Sequence, residues 1–586
     1  MKNLFDWLDH RSGYRKITHE ALFENIPGGS RWRYVWGSTL TFTLVVQIIT
    51  GLALWAAYSP SSQTAWESIF YIQNNMWCGW LLRGIHHYTA QAMNILLVLH
   101  LMQVLIDGAY KAPREINFWF GLVLLLLVLG LSLTGYLLPW DQKGFWATKV
   151  ATNIAAITPF IGPQVQRIIV GGSDYGHHTL TRFFALHAGV LPGAIVALVV
   201  GHIYLFRRHG ITAKQPLRQP DAAFWPDQVL KDAVACLAVL AAVLFLVLKN
   251  HGAELGPPAD PSDSFSAARP EWYFLFLFQF LKYFPGGTEA IGAIYIPGLI
   301  LGVIFLMPYF GKWKLGHRFN LGFIYCLLAG ASLLTWLAIA EDRGKPDIIA
   351  AVKETERSAE RVKELAESPT GIPATGAVTL LRNDPYTQGP KLFAKNCASC
   401  HRFDGHDGTG RPVSDPETAS DLKGFASRQW LTGLLTPEKI ISVHYFGGTK
   451  FKDGRMAKFV GKKLTAPSAD LEKVIAAISA EAGLKTQPAS DPDMIKVGTT
   501  AFKDTFNCAE CHQFHSKDED ATAPDLTGYG SREWLISMIS NPKHDRFYGE
   551  KNDRMPAFGE EKILDPASLG LLADWLRGEW YEATKN

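Results

Sequence analysis

Long apolar stretches recur through the first 341 residues of the chain and do not recur after them. A helix needs about 20 mostly apolar residues to cross the hydrocarbon core of a membrane. Stretches of that length lie at about 33–58, 78–107, 115–137, 179–206, 229–249, 288–310 and 321–341. The pattern therefore predicts an all-α chain that begins with a seven-span transmembrane helical bundle.

The charge distribution predicts an orientation for this bundle. Charged residues make up 19% of the 586 residues, less than the roughly 25% of soluble domains, and the net charge of +3 leaves no footprint for nucleic acid. Lys and Arg occur in alternate loops, at Lys111, Arg114, Arg207, Arg208, Lys312 and Lys314, whereas residues 58–76 contain neither. Basic loops stay in the cytoplasm, so we expect a cytoplasmic N-terminus in a bacterial inner membrane. Seven spans then place everything after residue 341 on the outer, periplasmic side.

The last third of the chain contains one unit twice. A charged segment and a Pro/Gly-rich segment at 344–390 predict a tether, and two similar stretches follow it. FAKNCASCH at 393–401 recurs as FKDTFNCAECH at 502–512, and DLKGFASRQWL at 421–431 recurs as DLTGYGSREWL at 525–535. The repeat predicts two similar small domains.

Each copy carries the C-x-x-C-H signal of covalent haem attachment. The cysteines that would form thioethers are Cys397, Cys400, Cys508 and Cys511, and the iron ligands would be His401 and His512. Met456 and Met555 occupy matching places in the two copies and are the candidate sixth ligands, because a His/Met pair raises the haem potential. His444 and His544 stay open as alternatives.

Four histidines lie inside two of the predicted spans. His86 and His100 are 14 residues apart, and His187 and His202 are 15 apart. At 100° and 1.5 Å per residue, each pair lies on one helix face with roughly 21 Å between its members. His86 should therefore face His187, and His100 should face His202, which are the sites that two non-covalent b-type haems need. Pairing with neighbouring helices is the alternative, although ionisable groups inside membranes are usually functional.

Glycines repeat the same spacing on the neighbouring spans. Gly37 and Gly51 are 14 residues apart on the first span, and so are Gly121 and Gly135 on the third. A residue without a Cβ lets a flat macrocycle approach the helix, although small residues also serve helix packing. Arg83 and Arg182, near the outer ends of the histidine-bearing spans, are candidates to pair with haem propionates.

Four segments resemble cytochrome b of the Rieske–cytochrome b (bc-type) quinol-oxidising complexes. They are GWLLRGIHHYTAQAMNILLVLH at 79–100, LPWDQ at 138–142, TLTRFFALH at 179–187 and RPEWYFLFLFQFLKYFPG at 269–286. The two halves of that family are fused here, and the extension resembles class I cytochrome c. The resemblance implies a haem-binding four-helix bundle at 1–220, a second cytochrome b part at 221–343, the tether at 344–390, and cytochrome c domains at 391–485 and 486–586.

The resemblance also implies two quinone sites on opposite sides of the membrane. At the outer site, Glu271 would accept the quinol proton, and the motif around it would form the pocket with Pro270, Trp272, Tyr273, Tyr136 and the segment 143–146. At the inner site, groups at the positions of Arg207, Lys231 and Asp232 would bind and protonate quinone. Basic residues at a cytoplasmic interface also satisfy the charge rule alone, so that interpretation stays open.

By resemblance, the chain is the redox subunit of a proton-translocating quinol–cytochrome c type oxidoreductase that runs a Q cycle. It would bind two haem b and two haem c, with quinol and quinone as substrates. Its partners would be a Rieske iron–sulfur protein, a second copy in a homodimer, further small membrane subunits, and an external cytochrome or terminal oxidase as acceptor. The alternative function is a dihaem b anchor of a dehydrogenase, against which LPWDQ and Pro-Glu-Trp-Tyr argue.

Overall fold

The computed structural model describes residues 2–212, 220–263, 265, 268–464, 468–486, 492–516, 521–552 and 554–583. The chain forms two compact units, one of residues 1–363 with 372–378 and one of residues 364–371 with 379–586. Within the described residues, the strands are β1 (Asn25–Ile26) and β2 (Ala222–Ala223), which pair antiparallel with Asn25 opposite Ala223. The rest of the regular structure is helical, so the predicted all-α class is confirmed.

The first unit is built from fifteen helices among the described residues. They are α1 (Lys2–Ser12), α2 (Tyr14–Leu22), α3 (Val35–Trp55), α4 (Ala65–Asn74), α5 (Gly79–Ile106), α6 (Glu115–Leu137), α7 (Gln142–Ala156), α8 (Gly162–Val170), α9 (His177–Ala185), α10 (Leu191–His209), α11 (Asp227–Asn250), α12 (Leu275–Leu281), α13 (Ile296–Phe310), α14 (Gly316–Arg343) and α15 (Pro346–Ala366). The last of these helices ends just beyond the boundary of the unit.

Seven helical segments in the described chain are long and apolar enough to cross a membrane, which confirms the predicted number. They are Trp32–Trp55, Gly79–Ile106, Glu115–Leu137, His177–His209, Asp227–Asn250, Gly286–Phe310 and Gly316–Arg343. Their outward faces carry exposed Leu, Ile, Val and Phe side chains, as lipid contact requires.

The fourth span contains a local change of helix type that explains its histidine spacing. Between α9 and α10, residues Leu186–Val190 form a π-helical turn, which accommodates one extra residue. Fifteen regular α-helical steps would rotate His202 about 60° past His187, whereas fourteen steps leave His100 about 40° short of His86. Because the π turn absorbs one residue, the spacing of 15 acts as a spacing of 14, and the two pairs match.

The second unit contains nine helices among its described residues. They are α16 (Val378–Arg382), which begins at the unit boundary, α17 (Pro385–Asn396), α18 (Arg428–Leu434), α19 (Pro437–Ile440), α20 (Arg455–Lys463), α21 (Ala469–Ala480), α22 (Pro492–Asp504), α23 (Arg532–Ser540) and α24 (Pro566–Leu576).

The two sequence repeats have the same local structure. Ser427 caps α18 by accepting a bond from Trp430 N, and Ser531 caps α23 by accepting one from Trp534 N, each at 3.2 Å. The indole of Trp430 donates to Asp421 O at 3.1 Å, and the indole of Trp534 donates to Asp525 O at 3.0 Å. The repeated segments therefore fold alike, as the sequence predicted.

The first and last helices of the two repeats are exchanged. A methyl group added to Gly389 in α17 would collide with Trp575 in α24, and the ring of Trp575 lies 4.3 Å from the ring of Phe403. In the other repeat, Gly498 in α22 lies against the backbone of Lys473 in α21. Glycine permits both close helix crossings. Each repeat therefore receives the terminal helix of the other, and one hydrophobic core runs through both.

This exchange predicts where a core truncation acts. Trp575→Ala removes a buried ring, so the free energy of unfolding of the second unit should fall by about 3–5 kcal/mol. The loss should loosen α17, which belongs to the first repeat. Amide hydrogen exchange read by mass spectrometry measures this, with the exposed Ile563→Ala as the control. Faster exchange confined to α22–α24 would contradict the exchanged arrangement.

Candidate haem and quinone sites

Two histidines face each other near one end of the bundle. His86 lies in α5 and His187 lies in the π turn of the fourth span, and their ring centroids are 6.3 Å apart. The Thr50 hydroxyl lies 2.9 Å from His86 Nδ1, and His187 Nδ1 donates to Leu131 O at 3.1 Å. These bonds hold both rings with Nε2 directed away from the bonded nitrogen.

A second pair repeats the arrangement further along the same helices. The ring centroids of His100 and His202 are 6.5 Å apart. His202 Nδ1 donates to Asn117 O at 3.1 Å. His100 Nδ1 is buried and has no hydrogen-bond partner among the described residues. The structure thus brings together both of the pairs that the spacing predicted.

The separation of the rings fits a metal between them. A ring nitrogen binds a metal at about 2 Å, as in zinc–imidazole bonds, so two opposed imidazoles have centroids about 6 Å apart. A carbonyl can only accept a hydrogen bond, so the carbonyl partners of His187 and His202 fix the proton on Nδ1. Their Nε2 atoms therefore keep a lone pair for a metal, as second-shell carbonyls arrange in metal sites.

The four predicted glycines supply the space that a flat ring system needs. A Cβ on Gly37 would lie 3.6 Å from the His100 ring, and one on Gly51 would lie 3.3 Å from the His86 ring. The corresponding distances are 3.5 Å from Gly121 to the His202 ring and 2.5 Å from Gly135 to the His187 ring. Each glycine therefore leaves room directly beside one imidazole, and the residues present fit a haem between each pair.

The two arginines proposed for haem propionates have different surroundings. Arg83 is buried and donates to Gln73 Oε1 at 3.0 Å, to Ala253 O at 2.8 Å and to Glu254 O at 2.6 Å. These bonds tie the loop after α11 to α5. Arg182 is exposed, with its guanidinium against Gly171. The propionate role stays a prediction for both residues.

A cavity of about 810 Å³ joins the outer histidine pair to the predicted quinol pocket. Its walls include both imidazoles and their glycines, together with Tyr136, Lys143, Glu271 and Tyr273. Burial and the charge of Glu271 raise the pKa of Tyr273, so its hydroxyl stays protonated. The cavity is large enough for a ring compound of cofactor size.

The Pro-Glu-Trp-Tyr segment contributes unequally to this cavity. Glu271 and Tyr273 line it, whereas Pro270 and Trp272 are not among the lining residues. The Trp272 indole instead donates to Gln91 Oε1 at 3.1 Å, and the Tyr136 hydroxyl donates to Arg269 O at 3.3 Å. These bonds anchor the segment between α5 and α6 and direct Glu271 inward.

The structure adds cavity residues that sequence reasoning missed. His87, interpreted as a surface or interfacial residue, lines the cavity and lies 2.8 Å from the Gln91 amide nitrogen. Helix α15 contributes Val352, Thr355 and Glu356, although its sequence predicted part of a tether. No spacing signal marked either feature, because both depend on how the chain folds back onto the bundle.

The predicted inner-site residues have partners near the other end of the bundle. Arg207 pairs with Glu24 at 3.0 Å, and Lys231 Nζ donates to Ser30 Oγ at 2.7 Å. Asp232 accepts bonds from the Ser38 hydroxyl at 2.6 Å and from the Gln228 amide at 2.8 Å. Burial raises the pKa of Glu24 despite Arg207. Sequence reasoning missed Glu24, which lies far from Arg207 along the chain.

The two C-x-x-C-H segments have matching histidine geometry. His401 Nδ1 donates to Ser420 O at 2.7 Å, and His512 Nδ1 donates to Pro524 O at 2.8 Å. Burial lowers the pKa of both histidines, so both rings stay neutral with Nε2 available to a metal. The thiols of Cys397, Cys400, Cys508 and Cys511 are not in disulfides.

The surroundings of the candidate sixth ligands differ by residue type. Met456 and Met555 are partly buried and pack against the core of the second unit. His444 is 44% exposed and lies 3.8 Å from Asp421, and His544 is exposed. The burial pattern favours the methionines, and their ligation stays a prediction.

Comparison with known proteins places these sites in a family. The sequence model described as "Cytochrome b(N-terminal)/b6/petB" matches residues 91–258, and "Cytochrome b(C-terminal)/b6/petD" matches residues 258–353. "Cytochrome b" of Rhodobacter capsulatus is 34% identical over 313 residues, which cover 51% of this chain and 71% of that protein. The chain belongs to the cytochrome b family.

Other relatives specify the kind of cytochrome b. The "Menaquinol:cytochrome c reductase cytochrome b subunit" of Bacillus subtilis (strain 168) is 39% identical and covers 36% of this chain and 98% of its own. The "Cytochrome bc complex cytochrome b subunit" of Chlorobaculum thiosulfatiphilum is 37% identical and covers 52% and 69%. A cytochrome c family model matches residues 386–477. This protein is therefore a cytochrome b of a bc-type complex with both halves fused, and its domains imply haem b and haem c.

The glycine geometry yields a prediction for the outer b-type site. In Gly135→Val, the new side chain takes the space beside the His187 ring, so the outer haem should be lost while the inner one remains. The b-type absorbance of the purified protein should fall by about half. Gly193→Val, at a position in α10 where an added Cβ meets nothing within 4 Å, is the matched control. Full b-haem content in Gly135→Val would contradict the assignment of this space to haem.

Proposed function

We propose that this cytochrome b oxidises quinol in the outer cavity and reduces quinone near Arg207 and Asp232. The observation that carries the proposal is that Glu271 and the imidazoles of His86 and His187 line one cavity. A proton acceptor and an electron-accepting site thus adjoin the same bound molecule. Bound haem takes up and releases single electrons, which is the chemistry that the histidine pairs would supply. The menaquinol named in the Bacillus subtilis relative supports a quinol as substrate.

Glu271 performs the proton chemistry in this proposal. Its side chain is 14% exposed at the cavity wall, and the backbone around it is anchored by the bonds of Trp272 and Tyr136. A carboxylate in that place accepts the proton of the quinol hydroxyl as the electron leaves. Tyr273 and Tyr136 supply aromatic walls beside it.

The electrons of quinol divide between two directions in this proposal. One goes outward to a Rieske iron–sulfur protein and through two c-type sites to an external cytochrome or terminal oxidase. The other crosses the membrane by way of the two histidine pairs, completing a Q cycle. The matching geometry of His401 and His512 supports a second c-type site beyond the matched residues 386–477. We place the N-terminus in the cytoplasm, the c-type unit in the periplasm, and the chain in a homodimeric complex with further small membrane subunits.

A carboxamide at position 271 tests the proposal. Glu271→Gln keeps the shape of the side chain and removes its ability to take a proton, so quinol oxidation should slow by about a hundredfold. The haem spectra should not change, because Glu271 contacts no predicted iron ligand. Glu289→Gln, an exposed carboxylate at the start of the sixth span, is the control. Unchanged turnover of Glu271→Gln with quinol as donor would remove Glu271 from the reaction.

A further inference from the structure

Glu271 has a cationic partner on a different element. Lys143 Nζ lies 3.5 Å from Glu271 Oε1 and 5.8 Å from the centroid of the Tyr136 ring. Lys143 is in the first turn of α7, which Asp141 caps by accepting a bond from Gly144 N at 2.8 Å. Asp141 also accepts a bond from Gly256 N at 3.2 Å. The position of the lysine is therefore set by a cap that is tied to the loop after α11.

The charges of this part of the cavity act on Lys143. Burial alone would lower the pKa of Lys143, but the carboxylates of Glu271, Glu254 and Asp141 outweigh burial and raise it. Burial raises the pKa of Asp141 itself. The ammonium group is therefore held in its charged form at the cavity wall.

Other charged and titratable groups around the cavity have different contacts. They are Arg83, His87, Tyr136, Glu254, Arg269, Tyr273 and Glu356. Arg83 donates to backbone carbonyls and to Gln73, and Arg269 forms a two-bond pair with Asp342 at 2.8 Å and 2.8 Å. Among the described residues, Lys143 is therefore the cation in contact with Glu271.

We propose that Lys143 is a positioning residue for quinol oxidation, which holds the Glu271 carboxylate ionised at the wall of the outer cavity. The inference rests on the proposed function. In the step concerned, the O–H bond of quinol breaks, an O–H bond forms on Glu271, and the electrons go to the acceptors named above. An ammonium group at 3.5 Å keeps the carboxylate unprotonated before quinol arrives. The pair is partly exposed, with 38% of the lysine side chain accessible, so it is weak enough to be replaced by a quinol hydroxyl.

The pH profile of quinol oxidation tests this role. The cation favours the ionised carboxylate, so its removal lets Glu271 protonate at higher pH, and activity that needs the ionised form is then lost at higher pH. In Lys143→Met, the acid limb of kcat should move up by about one pH unit. Lys143→Arg keeps the charge and should stay within a few tenths of the wild-type profile. Lys149→Met, two turns along α7 and outside the cavity lining, is the matched control.

An infrared titration gives a readout that does not need turnover. The C=O stretch of a protonated carboxyl should appear at higher pH in Lys143→Met than in the wild type, and Lys143→Met/Glu271→Gln should lack that band. An acid limb and a carboxyl band that both stay at wild-type pH in Lys143→Met would overturn the inference. If the wild-type complex did not oxidise quinol at all, the proposed function would fail, and the infrared titration would still decide whether Lys143 controls Glu271.

Discussion

The membrane unit depends on two pairs of imidazoles that face each other across a gap of fixed width. The gap exists because His86 and His187, and likewise His100 and His202, lie on opposed helices while glycines keep the space beside each ring free. The carbonyl partners of His187 and His202 set which nitrogen carries the proton, so each ring offers a lone pair to the gap. Helix spacing, glycine placement and tautomer therefore act together, and a change in any of them would alter the binding of a haem.

Much of this arrangement follows from periodicity in the sequence. Spacings near 14 residues predicted the two stacked pairs, since such a spacing returns a helix to the same face. The spacing of 15 on the fourth span needed a π turn at Leu186–Val190, which periodicity alone does not reveal. The contacts of Glu24 with Arg207 and of Lys143 with Glu271 were also out of reach, because they join residues more than a hundred positions apart.

The second unit shows the same limit for a repeat. The sequence predicted two copies, and the copies do share their caps, indole bonds and histidine bonds. It could not predict that α17 packs on Trp575 of the other copy, because either terminal helix presents an apolar face to a Gly-x-x-x-Phe helix. Shared packing makes the two haem-attachment segments parts of one core. Tandem c-type sites in one core keep a constant separation, as a relay of electrons between them requires.

The central claim is that one quinol supplies an electron inward and an electron outward. The most direct measurement is stopped-flow absorbance of the fully oxidised complex after one equivalent of quinol is added. The account predicts that b-type and c-type haem absorbance rise together and in equal amounts during the first turnover. Reduction of b-type haem alone, as in a dehydrogenase anchor, or of c-type haem alone would contradict it.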